Sequence, residues 1–557
     1  MGKAFFLRIL LLIGLTALAY IWVNALMDSM YAYRSPLVDS PPQPGARLLR
    51  DDGTQAARRV VFVLIDGLRI DTALDTQVMP YLDKIRRQGA WAVMNSRPAS
   101  YSQTGFASLF TGAWPEISDG PLLNLDPPEL YSWTQDNLFS AAVRAGLKVA
   151  VSGHPYNEII IPQGAVTVYY SDPDGTYTAD QKRVEAAIPW LQDSNTGFIF
   201  IHLNQVDWAG HHEGGPRDPR WNQAARRADD LLGEIAAQLD LSKDTLFVTS
   251  DHGHISTGGH GGHEEIVLKE PFALVGAGVR PGDYGHVNMV DVAPTLAALM
   301  GLNLPASSQG RVLIEMLNLP PDEEANIQAA QQAQQQRLLA AYHQAIGAKA
   351  IPIDADQDAV TANQAAMQAA RQLRLNREMI PRILLALVAL ILPAYWIVRW
   401  QRTELIWLLG GAVLYVLLFH LRYSMLDGLT YSLSSVNSAN EIIIYILTTV
   451  FMAGILGWLV ALLDRGVFRL TPAGAALWSL NLTLVTIWLV SLPLLWSFVL
   501  NGLVITWTVP DFPSIYLGFL SLFQIVFIPI LGLLLAGLTA GIAWYRQRKG
   551  NQQGEVR

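Results

Sequence analysis

The sequence contains no cysteine among its 557 residues. That absence excludes a disulfide framework, a thiolate metal site and a cysteine nucleophile. Charged residues are also scarce, at 15% of the chain, whereas hydrophobic residues reach 51%. Because the chain is too long for one ordinary domain, this balance predicts a soluble part joined to a large membrane part.

Positive charge is in short supply as well. The chain has 39 Lys and Arg against 47 Asp and Glu, and its formal net charge is -8. Proteins that bind nucleic acid need a basic face to meet the phosphate backbone. The acidic balance therefore argues against nucleic acid as the main partner.

Long apolar runs, by contrast, are abundant. The first, Phe5 to Met27, is long enough to span a bilayer, and Lys3 and Arg8 lie at its start. A cleaved signal peptide is the alternative, but the run is long for one and no clear small-residue cleavage site follows it. We therefore interpret residues 1–30 as an uncleaved N-terminal membrane anchor.

Five more apolar runs fill the C-terminal part of the chain, residues 379–557, which we interpret as a five-helix membrane domain with a short tail. The runs are Ile380 to Val398, Leu405 to Leu421, Ile442 to Leu463, Ala473 to Leu500 and Ile515 to Tyr545. Arginine and lysine cluster after the first, third and fifth runs. Because positive residues mark the cytoplasmic side, we expect an integral membrane protein with six spans and both termini in the cytoplasm. The region between the first two spans is then extracytoplasmic.

That extracytoplasmic region divides by composition into a linker (31–57), an α/β domain (58–318) and a helical stalk (319–378). Short apolar runs in the middle part alternate with helix-like stretches. The runs are Val60 to Ile65, Lys148 to Ser152, Phe198 to Leu203, Thr245 to Thr249 and Phe272 to Val275. They lack clean polar alternation, which is typical of strands buried on both faces. We therefore predict a doubly wound, mostly parallel sheet, plus the α-helical membrane domain.

In such sheets the functional groups lie just past the carboxyl ends of the strands. Asp66 follows the first predicted strand directly, although Asp-Gly is also an ordinary turn pair. Ser100 to Gly112 leads into a short helix made of small residues. A hydroxyl at a helix N-terminus is placed to attack an anion held by free backbone N–H groups. Simple N-capping by Ser or Thr is the alternative explanation of that segment.

Two further polar clusters follow later strands. Asp207 and His211 are four residues apart, so one helical turn would place them on the same face. Asp251 and His252 open a glycine-rich segment that continues to His263, and seven of the eleven histidines lie between positions 202 and 263. Carboxylates and imidazoles grouped after strand ends indicate divalent metals such as Zn²⁺ or Mn²⁺. The alternative is a surface loop with stray histidines.

Taken in order, these clusters resemble the alkaline phosphatase superfamily over about residues 58 to 315. The matching motifs are Asp66, the Ser102 segment ending in Leu-Phe-Thr-Gly112, Asp207-x-x-Gly-His211, Asp251-His-Gly253 and His260-Gly-Gly262. Within the superfamily the chain is similar to type I phosphodiesterases and to the GPI ethanolamine phosphate transferases. Those transferases share the plan of N-terminal anchor, extracytoplasmic catalytic domain and C-terminal membrane bundle. Sulfatases are also related, but the missing cysteine and the second Asp/His set argue against that activity.

The resemblance implies two divalent metal ions, Zn²⁺ or alternatively Mn²⁺, held by residues of these motifs. Asp66, Asp251 and His252 would hold one ion beside the nucleophile Ser102. Asp207, His211 and His260 would hold the other. Ser100 and Thr104 are the alternative nucleophiles, and His263 is the alternative to His260. The remaining histidines of the region, His202, His212 and His254, are expected to be supporting or surface groups.

The expected activity is phosphoethanolamine-type transfer to a phospholipid or lipid-linked glycan at the outer membrane face, through a phospho-Ser102 intermediate. The alternative is a membrane-anchored phosphodiesterase or nucleotide pyrophosphatase that hydrolyses soluble or lipid phosphodiesters. A third possibility is a non-enzymatic lipid transporter or binder with a degenerate outer domain. The complete set of metal-binding motifs argues against that third possibility, and so does the scarcity of charges in the apolar runs.

Overall fold

The computed structural model describes residues 2–48, 55–349, 358–399 and 402–554. They form two compact units. The helical unit comprises Met1–Met30, Asn376–Ile505 and Pro510–Arg557, and the sheet unit comprises Tyr31–Leu375 and Thr506–Val509. Positions 49–54 of the expected linker, and the last three residues of the expected tail, lie outside the described residues.

The sheet unit is built around one eight-stranded sheet. Its strands are β1 (Arg59–Ile65), β2 (Ala90–Asn95), β3 (Lys148–Gly153), β4 (Val168–Ser171), β5 (Thr196–Leu203), β6 (Asp244–Thr249), β7 (Lys269–Gly276) and β8 (Gly282–Asn288). Their order across the sheet is β4-β3-β5-β1-β6-β7-β2-β8. Only β7 runs antiparallel to its neighbours β6 and β2, and the other strand pairs are parallel.

Seventeen α-helices lie within the described residues. They are α1 (Gly2–Tyr31), α2 (Ile70–Ala73), α3 (Pro80–Gln88), α4 (Ser102–Thr111), α5 (Pro115–Ser118), α6 (Leu138–Arg144), α7 (Tyr156–Ile160), α8 (Tyr177–Gln192), α9 (Gln205–His212), α10 (Pro219–Ala236), α11 (Val292–Leu299), α12 (Pro321–Ala345), α13 (Ala359–Val398), α14 (Arg402–His420), α15 (Ala439–Ala461), α16 (Pro472–Asn501) and α17 (Phe512–Gly554).

The central strand β1 shows why the apolar runs lack alternation. Val60, Phe62 and Leu64 belong to the core on one face of the sheet, with α4, α6 and α11. Val61 and Val63 belong to the core on the other face, with α3, α8 and α10. All seven residues of β1 are buried. Because both faces are covered, the six positions after Arg59 are all apolar, and the predicted doubly wound, mostly parallel α/β fold is confirmed.

Three strands escaped the sequence-based prediction. The edge strand β8 is mostly exposed and contains two glycines, and the opposite edge strand β4 is only four half-buried residues long. Both therefore lack the apolar run on which strand prediction depends. The third, β2, begins at Ala90, and Gly89 alone separates it from the end of α3. A single glycine is a weak signal that one element ends and another begins. Its parallel partner is β8 rather than a central strand.

The helical unit contains the expected spans. Six helices are long and apolar enough to cross a membrane, counting only the described parts of the chain. They are α1, α13, α14, α15, α16 and α17, and each contains one of the six predicted apolar runs or nearly all of it. The prediction of an integral membrane protein is thereby confirmed. The first of the C-terminal spans belongs to a 40-residue helix, α13, whose N-terminal part belongs to the sheet unit.

Candidate active site

Three neighbouring strands deliver three carboxylates to one edge of the sheet. β1 lies between β5 and β6 and is parallel to both. Asp66 follows β1, Asp207 lies on α9 just after β5, and Asp251 comes two residues after β6. Because parallel strands end on the same side, these carboxylates converge there although they are far apart in sequence.

Ser102 is the first residue of α4, which points its N-terminus at the same edge. Its side chain is 7% exposed, and its Oγ lies 3.2 Å from Nε2 of His252. The first backbone N–H groups of a helix have no partner within the helix, so a helix N-terminus attracts anions. The expected nucleophile therefore lies beside an expected metal ligand, at an anion-attracting position.

A glycine allows α4 to approach this closely. A Cβ atom at Gly105 would lie 2.9 Å from Cβ of Asp251 and 2.9 Å from its carbonyl oxygen. Neither atom can move without shifting the strand end, so a side chain at this position would push α4 away. The close approach of Ser102 to the ligands that follow β6 therefore depends on Gly105.

The first ligand group expected from the sequence is Asp66, Asp251 and His252. In the structure, ligand atoms of Asp66, His252 and Asp207 lie within 4.8 Å of one another, so Asp207 lies beside both expected groups. Nε2 of His252 lies 3.4 Å from Oδ1 of Asp66 and 3.5 Å from Oδ2 of Asp251. Both of these carboxylate oxygens are buried and have no hydrogen-bond partner among the described residues. A buried carboxylate oxygen without a partner is costly, and a cation at this point would supply the missing interaction.

The charge balance of this group supports the same conclusion. Burial, and then the nearby charges of Asp251 and Asp207, raise the pKa of Asp66 well above its usual value. Burial and the charge of Asp207 raise the pKa of Asp251 to about 7. Ionising both carboxylates places two negative charges side by side in a buried site, which is unfavourable unless a positive charge lies between them. The residues of the first group therefore fit a divalent cation.

The second ligand group surrounds Asp207. Its Oδ1 atom lies 3.4 Å from Nε2 of His211 and 3.5 Å from Nε2 of His260, and the two imidazole nitrogens are 2.9 Å apart. One ligand atom from each of these residues, and one from His254, all lie within 4.8 Å of one another. Burial raises the pKa of Asp207, but the neighbouring histidines outweigh it and hold the pKa well below its usual value.

Hydrogen bonds to the backbone decide which imidazole nitrogens are free to bind a metal. Nδ1 of His260 lies 2.9 Å from the carbonyl oxygen of Ser100, and Nδ1 of His252 lies 3.2 Å from that of Gly253. A carbonyl oxygen only accepts, so Nδ1 carries the hydrogen in both rings and Nε2 keeps its lone pair. Burial lowers the pKa of His252 to about 4, which keeps its ring neutral. Both Nε2 atoms can therefore bind a cation.

His254 has the opposite arrangement. The backbone N–H of Gly259 donates to its Nδ1 atom at 3.0 Å, so the neutral ring carries its hydrogen on Nε2. That Nε2–H donates to Oδ1 of Asp207 at 3.0 Å. His254 is fully buried. Although it lies close enough to be a ligand, its hydrogen bonds make it a support that orients Asp207.

Two other buried groups hold the carboxylates in place. Nε2 of His202, on β5, lies 2.8 Å from Oδ2 of Asp66, which leaves the Oδ1 atom of that carboxylate for the first ligand group. Asp180, on α8, accepts the backbone N–H groups of Asn204 and Gln205 at 2.9 to 3.0 Å, at the start of the helix that carries Asp207. His202 was among the expected supporting groups. No motif indicated Asp180, because its role depends on packing between distant segments.

The alternative site residues are placed differently. Oγ of Ser100 donates to the carbonyl of Gly262 at 3.0 Å, and Oγ1 of Thr104 donates to that of Pro121 at 2.5 Å. Both hydroxyls thus donate hydrogen bonds to backbone carbonyl groups, whereas the Ser102 hydroxyl faces His252. His212 is exposed and lies against the carbonyl of Trp208, and His263 belongs to neither ligand group.

Asn124 is a candidate residue that sequence reasoning missed. Its Oδ1 atom accepts the backbone N–H of Gln103 at 3.2 Å, in the first turn of α4. Its side-chain NH₂ group donates no hydrogen bond within the described residues, so these donors remain available beside Ser102. An amide donor at this position could stabilise charge on a transferring group. Nothing in the local sequence marks it, since it lies in a loop far along the chain from the strand ends.

Comparison with known proteins supports the relationship that the motifs indicated. Residues 121–390 match the family model described as type I phosphodiesterase / nucleotide pyrophosphatase. The family resemblance is confirmed. Human GPI ethanolamine phosphate transferase 2, catalytic subunit, is 27% identical over 290 residues, which cover 48% of this chain and 28% of that protein. The human type 3 catalytic subunit is 25% identical over 329 residues, covering 53% of this chain and 30% of that protein.

The chain therefore spans less than a third of the length of these relatives. Among solved structures, human ectonucleotide pyrophosphatase / phosphodiesterase 5 matches with a TM-score of 0.39 and 16% identity, over 47% of this chain and 100% of that chain. Wild-type alkaline phosphatase PafA matches with a TM-score of 0.38 and 11% identity, over 48% of this chain and 100% of that chain.

Proposed function

We propose that the chain is a metal-dependent phosphoryl-transfer enzyme that works through a phospho-Ser102 intermediate. The observation that carries the proposal is the placement of the Ser102 hydroxyl, 3.2 Å from His252 and at the N-terminus of a buried helix. Two buried carboxylate oxygens without partners, on Asp66 and Asp251, belong to the same group. A nucleophile, an anion-attracting helix end and a cation-attracting group thus occupy one edge of the sheet.

Asp66, Asp251 and His252 would hold one divalent ion, and Asp207, His211 and His260 would hold the other. A mixed set of imidazoles and carboxylates suits Zn²⁺, with Mn²⁺ as the alternative. Such ions, when bound, favour the alkoxide form of a serine and neutralise the charge of the transferring group. The two partnerless carboxylate oxygens are what makes the residues present here fit that role.

The side chains and backbone N–H groups of the protein position the donor and direct the attack on its phosphorus. Ser102 attacks the phosphorus of the donor, so that its Oγ–P bond forms while the ester P–O bond of the donor breaks. The hydroxyl proton passes through water to the departing alcohol. In the second half, the acceptor alcohol loses its proton, takes the phosphoryl group, and Ser102 regains a hydrogen. The free backbone N–H groups of α4 and the Asn124 amide would hold the phosphoryl oxygens.

The proposed substrates are phosphodiester headgroups of the phosphoethanolamine type, transferred to a phospholipid or lipid-linked glycan. The names of the human relatives support that donor chemistry. Six helices able to cross a membrane support a lipid-borne substrate. The loop charges further suggest that both termini are cytoplasmic and that the sheet unit acts on the extracytoplasmic face.

Hydrolysis is the second candidate function. The matched family model includes phosphodiesterases and nucleotide pyrophosphatases, in whose reactions water takes the place of the acceptor alcohol. The first half of the reaction, up to phospho-Ser102, is common to both candidates. The second half therefore decides between them.

Acid quenching after brief incubation with a labelled phosphoethanolamine lipid tests the proposal. The label should appear on the peptide containing Ser102 and disappear from it in Ser102→Ala. Ser100→Ala and Thr104→Ala are the matched controls, since both hydroxyls serve the backbone, and they should still form the labelled species. Label on the peptide of a Ser102→Ala protein would overturn the assignment. Faster movement of the label to an added glycolipid than to water identifies a transferase, and the reverse identifies a phosphodiesterase.

Orientation has its own test. Single cysteines are introduced into this cysteine-free chain at Gly2, at Gln552 and at Glu234, which is exposed on α10. An impermeant thiol reagent applied to intact cells should label only the protein with Glu234→Cys. Labelling of Gln552→Cys instead would place the C-terminus outside and refute the six-span orientation.

A further inference from the structure

A second polar cleft lies in the sheet unit, away from the metal-binding residues. It has a volume of about 210 Å³ and begins near the C-terminal end of α4, whereas Ser102 lies at the N-terminal end. Its lining comes from five parts of the chain: the segment after β2, the segment after α4, the loop at Gln309, and the helices α12 and α13. None of the lining residues belongs to either ligand group.

The charges in the cleft favour an anion. Arg97 and Arg371 both line it, against a single carboxylate, Glu116. Nη1 of Arg97 lies 3.7 Å from Oε1 of Glu116, too far for a hydrogen bond, and the guanidinium lies 4.2 Å from the ring centre of Trp114. Arg97 donates no hydrogen bond to the described part of the chain. Its planar set of N–H donors therefore remains available for an oxyanion, for which a guanidinium is well suited.

Arg371 is held in a fixed position. Its Nε atom donates to Oγ1 of Thr508 at 2.7 Å, and one Nη donates to the carbonyl of Val509 at 3.2 Å. These bonds use part of the guanidinium and leave further N–H donors for the cleft. Arg371 thus differs from Arg97 in being preorganised, which lowers the entropic cost of binding an anion.

Neutral donors complete the cleft. Tyr342, on α12, is 2% exposed, yet its hydroxyl has no hydrogen-bond partner among the described residues. Burial, followed by the charge of Glu116, raises the pKa of Tyr342, so the phenol stays a neutral donor. Gln368 adds an amide group from α13, and Gln364, whose Nε2 donates to the carbonyl of Gln309 at 2.5 Å, adds an amide oxygen. The Tyr342 hydroxyl on the wall of this polar cleft is therefore a donor that a ligand in the cleft can use.

From this geometry we propose that the cleft binds the oxyanion of a phosphorylated polyol, with Arg97 and Arg371 on the phosphate and Tyr342 and the glutamines on the hydroxyl groups. Glu116 can accept from one of those hydroxyls. The volume is below the usual range for a whole-ligand pocket, so it suits one phosphorylated ring or headgroup. A divalent cation does not fit, because two guanidinium groups face one carboxylate.

This binding site goes beyond the proposed function, since it uses neither Ser102 nor the two ligand groups. The phosphorylated polyol could be a free metabolite or the headgroup of a lipid, and the two sources share the same recognition chemistry. The test below measures binding in a protein whose metal site is disabled, so that its failure and failure of the proposed function can be told apart.

Binding is measured by isothermal titration calorimetry on the full-length protein carrying Asp251→Ala. The soluble probe is myo-inositol 1-phosphate, and the lipid probe is phosphatidylinositol in nanodiscs, compared with phosphatidylcholine. We expect saturable binding of at least one probe, weakened about tenfold or more by Arg97→Gln because a charge-assisted pair is lost. Tyr342→Phe, which removes only the hydroxyl, should weaken binding by a smaller factor.

Arg87→Gln is the matched control, because it removes the same charge from an exposed arginine on α3 and should change nothing. Arg371→Gln could disturb the fold through Thr508, whereas Arg97 is half exposed and donates no hydrogen bond to the described residues, so Arg97→Gln keeps the test decisive. Preference for the soluble probe identifies a free metabolite, and preference for the lipid probe identifies a headgroup. The proposal is refuted if neither probe binds, or if Arg97→Gln binds as tightly as Arg87→Gln.

Discussion

The two ligand groups of the site share one edge of the sheet but differ in charge. The first combines two carboxylates, Asp66 and Asp251, with one imidazole and leaves two buried oxygens without partners. The second combines one carboxylate, Asp207, with two imidazoles and is supported by the Nε2–H of His254. The first group therefore needs a cation to be stable at neutral pH, whereas the second is already balanced by hydrogen bonds.

The largest expected effect comes from removing a carboxylate of the first group. Asp251→Ala and Asp251→Asn should both lower turnover of a phosphodiester probe by a factor on the order of 10³. Loss of the negative charge is the reason, so the isosteric Asn should be as damaging as Ala. Metal analysis should show bound ion lost with activity. Asp230→Ala, at an exposed position on α10, is the control, and an Asp251→Asn protein with full metal and turnover would contradict the distinction.

A smaller loss is expected from the second group. His260→Ala removes one neutral ligand and should reduce the metal content from about two ions per chain toward one. His263→Ala, three residues away and outside both ligand groups, should leave the content unchanged. Mass spectrometry of metals on the purified proteins measures the difference. Equal losses in the two variants would mean that His263 shares the ligand role.

Changes at His254 should have a milder effect, because it acts through Asp207. His254→Phe should weaken metal binding by roughly 10 to 100-fold, the range seen when a group supporting a ligand is removed. His254→Gln keeps an N–H donor and should recover part of that loss. Competition with a chelating dye gives the metal affinity directly. If Gln and Phe weaken binding equally, the hydrogen bond to Asp207 does not orient that ligand.

The smallest effect concerns pH. The pKa of Asp251 is raised to about 7 in the folded protein, against about 4 in an unfolded chain. The folded protein therefore holds a proton on Asp251 more tightly than the unfolded chain does. This difference adds to the free energy of unfolding below about pH 4, and the added stability is lost as the pH rises toward 7. The melting temperature of the metal-free sheet unit should therefore fall by several degrees over this interval. Added Zn²⁺ should remove most of the fall, and an equal slope with and without metal would argue against a cation in the first group.

Much of the site could be predicted because its residues occur in short, ordered motifs. Asp66, Asp207 and Asp251 were found because each follows a buried strand, and parallel strands bring their ends together. Ser102 was preferred over Ser100 and Thr104 by its spacing to Gly112. The sequence could not show that the Ser102 hydroxyl alone faces His252, because the hydroxyls of all three residues lie within one turn of the same helix start.

The chain by itself determined the layout: apolar runs long enough to cross a membrane, buried strands without alternation, and polar residues placed just after strand ends. These features act locally, through burial and chain direction, so they can be read in order along the sequence. The tertiary structure alone decided the antiparallel strand β7, the Nε2–H of His254, the support from Asp180 and the cleft of Arg97 and Arg371. Each of these features depends on hydrogen-bonding groups that lie far apart in the sequence and come together only in the folded chain. Spacing along the sequence cannot predict such contacts.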